Sequence, residues 1–328
     1  MAGYNEIQRK EYVFRINRVL DYIEKHLDQP MTLQQLSEIA HFSPFHFHRI
    51  FSVLVGESLG QFINRIRVEK AASLLAAHPH KSITEIALDC GFSGSAVFSR
   101  SFRDVFDMTP TDWRNGGCQQ YRKDCKTERN PRQLQSKPGK AFDVSSTYIG
   151  SITQNQKWRI TMKKPSTLQA EVEVRDVPAM TLVYVRHIGP YQGNENLFKD
   201  LFGRLMTWAG PRDLIGADTK CITIYHDNPD VTDDDKLRIS CCITVPEGTE
   251  VSGEIGKMTL GAGKYGIAHF EILPDQYGDA WNAVYGGWLP ESGYQPDDRP
   301  CFELYSNDPQ KHPEGKHVVD IYIPVKPL

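Results

Sequence analysis

A single carboxylate stands in the middle of an apolar strand near the end of the chain. In the segment Cys301-Phe-Glu-Leu-Tyr305, strand alternation places Cys301, Glu303 and Tyr305 on one face. A carboxylate is costly to bury among apolar neighbours unless a cation or hydrogen-bond donors answer it. Two alternatives remain open from the residues alone. Glu303 either binds a cationic or hydrogen-bonding ligand, or it pairs with an internal partner such as Arg186 or a tyrosine hydroxyl.

Aromatic side chains accompany this glutamate. Trp281, Tyr285 and Trp288 follow one another at i, i+4 and i+7, the spacing of one helix face. Such a stripe is more often core than ligand site, but an aromatic face attracts a cation by roughly 0.5–2 kcal/mol. The candidate ligand-binding residues are Glu303, Tyr305, Trp288, Trp208, Trp281, Tyr285, Tyr191, Tyr225 and Tyr322, with Trp288 and Tyr305 favoured among the rings. His187, His226 and His269 are too scattered to predict a metal site, so we expect neither metal nor cofactor.

Two arginines recur at the same point of two similar helical patterns in the first third of the chain. Phenylalanines spaced four apart form a core stripe in each pattern, and Arg49 and Arg100 face away from it. Arginine can donate two hydrogen bonds to a guanine, a contact worth about 1–3 kcal/mol of base discrimination. The candidate DNA-binding residues are Phe45, His46, His48, Arg49 and Ser52 in the first helix and Ser95, Ala96, Ser99, Arg100 and Arg103 in the second. The alternative for His46 and His48 is a partly exposed helix face without a function.

Short helices are predicted before each arginine-bearing helix. Thr32 to Gln35 and Ser82 to Glu85 have the spacing of capping boxes. Ser43 and Ser93 are then predicted to cap the second helix of each pair, with Pro44 at a first helical position. This is the helix-turn-helix pattern, present twice. The small residues of the second copy predict weaker base discrimination there.

The segment between the two copies, Leu59 to Ala77, is predicted to be one continuous helix. About twenty residues span roughly 30 Å at 1.5 Å each. That length is close to the ~34 Å pitch of B-DNA. We therefore expect the two arginine-bearing helices to enter successive major grooves.

A second internal repeat lies 80 residues apart in the last part of the chain. Cys221-Ile-Thr-Ile-Tyr225 matches Cys301-Phe-Glu-Leu-Tyr305, and Trp208 matches Trp288. Each copy has a predicted helix before that strand, at 194–208 and 279–288, and a strand after it, at 238–245 and 317–325. The expected fold class is multidomain: an all-α double helix-turn-helix domain over 1–114, a polar basic linker over 115–165, and an α+β domain of two strand-helix-strand-strand repeats over 166–328.

Charge separates the same three segments, although the whole chain carries only −3. Residues 1–114 are neutral, residues 115–165 carry +8 and residues 166–328 carry −11. An acidic domain favours a cationic ligand over DNA, and the basic linker is expected to add to DNA affinity. The seven cysteines form no CxxC pair, and there is no signal peptide or run of about 18 apolar residues. These observations predict reduced thiols, a cytoplasmic location and no membrane partner, and they leave the role of Cys118 and Cys125 open.

Residues 9–114 resemble the DNA-binding domain of the AraC/XylS family. The resemblance rests on Gly91-Phe-Ser93, Phe98-Ser-Arg100-Ser-Phe102-Arg103, Phe106-Asp-Met-Thr-Pro110 and Trp113-Arg114. Residues 170–328 are similar to the gyrase-inhibitor-like effector-binding domain through Trp288-Leu-Pro-Glu-Ser-Gly-Tyr294 and Arg299-Pro-Cys-Phe-Glu-Leu-Tyr-Ser-Asn-Asp-Pro309. The order of the two modules is similar to that of bacterial regulators related to Rob.

The two resemblances imply a sequence-specific transcription regulator, an activator in our expectation, that responds to a small cationic or lipophilic ligand. They place DNA contacts at Phe45, His48 and Arg49 and ligand recognition at Glu303. The implied partners are double-stranded DNA, a small-molecule effector and RNA polymerase.

Two other functions for the C-terminal domain remain as alternatives. It can be a hydrolase in which Glu303 acts as a general base on water. The sequence offers no paired acid, nucleophile triad or metal cluster to support turnover, so we expect no enzyme. It can also be a module that docks to other proteins without binding a ligand.

Overall fold

A computed structural model of the chain describes residues 2–117, 168, 170–227 and 232–328, with side chains from Ile7 onward. Most of the predicted linker, together with Cys118 and Cys125, lies outside the described residues. Contacts divide the chain into two compact units. The described residues of the helical unit are 14–40 and 55–117, and those of the sheet unit are 2–13, 41–54, 168, 170–227 and 232–328.

Helices make up the first part of the chain. They are α1 (Ala2–Lys25), α2 (Leu33–Ala40), α3 (Pro44–Val55), α4 (Leu59–Ala77), α5 (Ile83–Asp89), α6 (Ser95–Phe106) and α7 (Pro110–Asp112), which runs into a π-helical turn at Trp113–Gly117. The predicted continuous helix is confirmed with the same two ends, and its 19 residues span about 28 Å. Pro44 is the first residue of α3, as its fixed φ and missing N–H favour.

The helical unit has an aromatic core around α6. The predicted stripe of Phe98, Phe102 and Phe106 is buried, and Trp113 packs at its end with ring centroids 4.4 Å from Phe106. The indole Nε1 of Trp113 donates to the carbonyl of Ala72 at 3.0 Å. The phenylalanine stripe therefore faces the core, while Arg100 and Arg103 of the same helix are exposed.

The turn between α5 and α6 requires a glycine. Gly91 has φ +81°, and a Cβ there would lie 2.2 Å from the carbonyl oxygen of Leu27. Any other residue would strain the backbone and clash. The turn that separates the two helices is therefore specified by a single residue.

The predicted helix caps are only partly correct. Ser82 and Glu85 form a complete capping box at α5, and Ser58 and Gln61 form another at α4. At α2 the backbone N–H of Gln35 donates to Thr32 Oγ1 at 3.2 Å. The side chain of Gln35 instead donates to the hydroxyl of Tyr22 at 2.5 Å.

The predicted serine caps of α3 and α6 are wrong. Helix α6 begins at Ser95, so Gly94 is its N-cap and Ser93 lies one residue too early. The Oγ atom of Ser43 is buried and has no hydrogen-bond partner among the described residues. The Phe-Ser pairs therefore mark the turns without capping the helices that follow.

The sheet unit is built mainly from antiparallel strands. In chain order its elements are β1 (Glu171–Val177), β2 (Met180–Ile188), α8 (Glu195–Ala209), β3 (Cys221–Tyr225), β4 (Arg238–Thr244), β5 (Gly256–Leu260), β6 (Gly263–Ile272), α9 (Tyr277–Asn282) with a π-helical turn at Ala283–Trp288, β7 (Tyr294–Pro296), β8 (Phe302–Tyr305) and β9 (His317–Pro327). The strand order is β1-β6-β9-β8-β3-β4-β2-β5, with β7 paired to β9. Short 3₁₀ turns occur at Gly210–Arg212, Asp234–Lys236, Pro274–Gln276, Leu289–Glu291 and Pro309–Lys311.

The two faces of the sheet carry different cores. On one face, strands β2 and β4 pack against Leu201 and Leu205 of α8. On the other, Phe302 packs with Tyr265 and Tyr322. Because neighbours in a strand alternate between faces, Glu303 lies on the face opposite to Phe302.

No helix in the described part of the chain is long and apolar enough to cross a membrane. Within the same residues, no group of His, Cys, Asp and Glu side chains has the arrangement of a metal site.

Candidate functional site

Glu303 lies at the centre of a hydrogen-bonded cluster and is only 1% exposed. Its Oε2 accepts from the hydroxyls of Tyr225 at 2.8 Å and Tyr305 at 2.7 Å. Its Oε1 accepts from the indole Nε1 of Trp281 at 2.6 Å. Strands β3 and β8 and helix α9 supply the three donors. Among the internal partners expected from the sequence, the tyrosine hydroxyls are therefore the correct ones.

Arg186, the other internal partner considered for Glu303, points elsewhere. Its Nε donates to Ser240 Oγ at 3.3 Å, and its guanidinium lies over the ring of Tyr184 at 4.7 Å. We call Glu303, Tyr225, Tyr305, Trp281 and Tyr285 the Glu303 site.

Burial raises the pKa of Glu303. The hydrogen bonds from Tyr305, Trp281 and Tyr225, and separately the positive charge of Arg49, act against this rise. Burial also raises the pKa of Tyr225 and Tyr305 well above the ordinary value, so both remain hydroxyl donors. Every donor to Glu303 is therefore neutral. An ionised carboxylate in this environment gains most from a nearby cation, because neutral donors leave its charge uncompensated.

Arg49 of α3 supplies that cation within the sheet unit. The carbon of its guanidinium lies 4.3 Å from the ring centroid of Trp281 and 5.1 Å from that of Tyr285. Trp281 and Tyr285 are themselves adjacent, with centroids 6.0 Å apart. The Nη1 atom of Arg49 is buried without a hydrogen-bond partner among the described residues.

His46 lies one helical turn before Arg49 and also reaches the Glu303 site. It is 1% exposed, and its Nδ1 shares a hydrogen bond of 2.8 Å with the hydroxyl of Tyr285. Burial, and then the charge of Arg49, lowers the pKa of His46 to about 3. The ring is therefore neutral at physiological pH.

The expectation that His46 and His48 lie on the outward face of α3, and the alternative of a partly exposed face, are wrong for these two residues. His46 and His48 are 1% and 3% exposed, and Phe45, Arg49 and Ser52 are half-buried. The reason is tertiary, because aromatic residues more than 230 positions away cover part of the helix. Whether these five residues contact DNA stays a prediction.

Helix α6 matches its expected pattern. Ser95, Ala96, Arg100 and Arg103 are exposed, and Ser99 is half-buried. The phenylalanine stripe faces inward and fixes which side of the helix remains outside. DNA contact by these residues also stays a prediction.

The remaining ligand candidates fall into different environments. Tyr191 is buried beside Tyr225, with ring centroids 5.5 Å apart. Trp208 lies under the guanidinium of Arg212, 4.6 Å from its ring centroid, and borders an open hollow of about 660 Å³ on α8. Tyr191 thus borders the Glu303 site through Tyr225, whereas Trp208 belongs to a different surface.

Trp288 and Tyr322 pack at places other than the Glu303 site: Trp288 on the same face of the sheet but against β6, and Tyr322 on the opposite face. The π-helical turn at Ala283–Trp288 is wider than an α-helical turn and takes Trp288 off the face of Trp281. Trp288 lies against Gly266, where a Cβ would be 2.5 Å from its ring. Tyr322 stacks on Phe302 at 4.5 Å, on the opposite face of the sheet from Glu303.

Two further residues lie near the site: Cys301, which strand alternation placed on the face of Glu303 without making it a ligand candidate, and Phe202, which sequence reasoning missed. Cys301 Sγ accepts from the Tyr285 hydroxyl at 3.8 Å, and Phe202 of α8 meets Tyr305 edge-on at 6.0 Å. The spacing of Phe198 and Phe202, four apart on α8, was the available signal for the second.

Comparison with known proteins identifies both parts of the chain. Residues 170–326 match the model of the GyrI-like small molecule binding domain, and residues 36–116 match a helix-turn-helix domain. A DNA gyrase inhibitor of Citrobacter rodentium is 30% identical over 159 residues, which are 48% of this chain and 97% of that protein. An uncharacterized HTH-type transcriptional regulator of Staphylococcus aureus is 36% identical over 100 residues, 30% of this chain and 13% of that protein. A cryo-EM structure of an EcmrR–DNA complex has 15% identity and a TM-score of 0.42, covering 92% of this chain and 86% of that one.

A helix-turn-helix domain joined to a small-molecule binding domain defines the class of this protein: a ligand-responsive transcription regulator. The chain belongs to the GyrI-like family, and it combines that family's binding domain with an AraC-type helix-turn-helix domain. The resemblance seen in the sequence is confirmed.

Proposed function

We propose that the effector is a lipophilic monocation and that it binds at the Glu303 site. The observation that carries this proposal is a carboxylate 1% exposed whose donors are all neutral. A bound cation would supply the positive charge that none of these donors carries, in place of Arg49, and the faces of Trp281 and Tyr285 add cation–π attraction. The net charge of −11 over residues 166–328 attracts cations to this domain from a distance.

The sheet topology supports the proposed architecture of two strand-helix-strand-strand repeats. Thr223 and Glu303 are 80 residues apart, which is the repeat offset, and they are direct partners in the β3–β8 pair. Cys221 pairs with Tyr305 in the same ladder. Equivalent positions therefore meet at the junction of the two copies. The carboxylate is present in only one of them, which favours a single cation per domain.

We propose that α3 and α6 read DNA as a double helix-turn-helix. The residues proposed to contact DNA are Phe45, His46, His48, Arg49 and Ser52 of α3 and Ser95, Ala96, Ser99, Arg100 and Arg103 of α6. The proposed domains are 1–114 and 166–328, joined by a basic linker at 115–165. The proposed regulator activates transcription through RNA polymerase and is located in the cytoplasm.

Binding rather than turnover is the function proposed for Glu303. A general base must accept a proton from water, and both oxygens of this carboxylate already accept hydrogen bonds. A catalytic water could therefore bind only at the acceptor position that the buried Oε1 retains beside the indole of Trp281. An alternative role as a hydrolase would appear as consumption of a bound electrophile that is lost in Glu303→Gln.

Glu303→Gln tests the proposed ligand class in the full-length protein. The probe is 1-naphthylguanidinium, an aromatic monocation, and its neutral isostere 1-naphthylurea is the control ligand. Loss of the charge should weaken binding of the cation at least about tenfold while changing binding of the urea little. Isothermal titration calorimetry measures both affinities. Equal losses for both ligands, or no loss for the cation, would contradict the proposal.

A further inference from the structure

The arginine predicted to read DNA lies in the site proposed for the effector. Its guanidinium is 4.3 Å from the centroid of Trp281, whose indole donates to Glu303 at 2.6 Å. Aromatic faces, a buried carboxylate and a cation are therefore already assembled. The cation comes from α3 of the same chain.

Further contacts within the sheet unit hold this segment in place. His46 shares a hydrogen bond of 2.8 Å with the hydroxyl of Tyr285, next to Arg49. The hydroxyl of Tyr12 on α1 donates to the carbonyl of Tyr294 at 2.6 Å. Arg49 is thus delivered to the site by a docked helix and not by a loose side chain.

We infer that Arg49 is an internal substitute for the effector, so that Arg49 and a bound cation exclude each other. This inference rests on the proposed function of the Glu303 site. Two cations at one buried carboxylate would repel each other, and both would need the same face of Trp281. Binding of the effector therefore releases Arg49 and makes α3 available to DNA.

The hydrogen bonding of Arg49 is consistent with a contact that can be exchanged. Its Nη1 is buried with no hydrogen-bond partner among the described residues, so the guanidinium is incompletely satisfied in the site. In the major groove the same guanidinium can donate two hydrogen bonds to a guanine. Arg49 then has two alternative positions, one on the effector site and one on DNA.

Arg49→Ala tests the exclusion in the full-length protein with 1-naphthylguanidinium as the probe. Removing an internal competitor should tighten binding by about tenfold or more, because the site is no longer occupied for most of the time. Arg18→Ala removes an exposed arginine of α1 and is the matched control, expected to change the affinity less than about twofold. Calorimetry gives the affinities, and circular dichroism verifies that each variant is folded. An Arg49→Ala protein that binds the probe no more tightly than Arg18→Ala overturns the inference.

Hydrogen exchange on the wild-type protein gives a second test that needs no substitution. Saturating probe should accelerate exchange of the backbone amides of Phe45–Leu54, whereas 1-naphthylurea should not. Unchanged or slower exchange with the cation overturns the inference. If Glu303→Gln abolishes binding of the cation but Arg49→Ala leaves the affinity unchanged, the mutual exclusion is wrong and the proposed cation site stands. No binding to either the wild type or Arg49→Ala would remove the cation site itself.

Discussion

At the scale of single residues, the environment of Glu303 combines two features that the sequence presented as alternatives: internal hydrogen-bond partners and a preference for a cation. Tyr225, Tyr305 and Trp281 satisfy its oxygens as internal donors. None of them carries a charge, so the same carboxylate also favours a cation. Hydrogen bonding and charge compensation are separate requirements of a buried carboxylate, and here Arg49, not a hydrogen-bond donor, supplies the positive charge.

His46 is expected to make the stability of the protein sensitive to mild acid. Its pKa is lowered to about 3 in the folded chain, where Arg49, Asp297 and Arg299 face it along with Tyr285. The unfolded chain takes up a proton near the ordinary pKa of 6.5, while the folded chain does not. Stability is therefore lost as the pH falls below 6.5, by about 1 kcal/mol down to pH 5.5.

Urea unfolding followed by tryptophan fluorescence at pH 6.5 and pH 5.5 measures this loss. Wild type should lose about 1 kcal/mol more than His46→Gln, because glutamine does not titrate. The same pH dependence in both proteins would show that His46 is not held neutral by folding.

At the scale of elements, helix starts are specified locally and can be tested one at a time. Ser82→Ala removes the side chain that accepts from Glu85 N at 3.1 Å at the start of α5. The free energy of unfolding should fall by about 1 kcal/mol, and Ser82→Asp should retain most of it. Urea unfolding measures both changes.

Ser93→Ala is the matched control for this cap. Ser93 is exposed and lies before the actual N-cap, Gly94. Its substitution should change the free energy of unfolding by less than about 0.5 kcal/mol. If the two alanine variants were equally stable, the capping box at α5 would contribute nothing.

The two arginine-bearing helices are expected to contribute to DNA binding at separate half-sites. Arg49→Ala and Arg100→Ala should each weaken binding by about 1–3 kcal/mol, with protection lost at one half-site in each case. The smaller side chains of α6 leave fewer base contacts, so base changes in its half-site should be tolerated better. DNA footprinting in the presence of a saturating concentration of effector measures these differences. Equal stringency at both half-sites would contradict the expected asymmetry.

At the scale of the whole molecule, the distribution of charge predicts a role for the segment between the two domains. Residues 115–165 carry +8, whereas residues 1–114 are neutral. Replacing residues 118–165 by an uncharged Gly/Ser segment of equal length should therefore flatten the dependence of DNA affinity on salt, because fewer counterions are released. Fluorescence anisotropy across a series of salt concentrations gives the slope of log K against log salt. An unchanged slope would exclude this segment from phosphate contact.

Much of the fold was accessible from the sequence because it depends on local patterns. The two ends of α4, the limits of β3, the inward stripe of α6 and the capping box at Ser82 follow from periodicity and spacing within a few residues. The face of β8 that carries Glu303 follows from strand alternation alone. Errors arose where a small shift mattered, as at Ser93, or where a π-helical turn changed the spacing before Trp288.

The sequence by itself determined which side chains were available: a carboxylate in an apolar strand, aromatic rings near it, and arginines on two helices. Only the tertiary structure decided which of these meet. Tyr322 is removed from Glu303 by the two faces of the sheet, and Arg49 is brought to Trp281 across 232 positions of the chain. Local spacing carries no information on such contacts, because they depend on how separately formed elements pack.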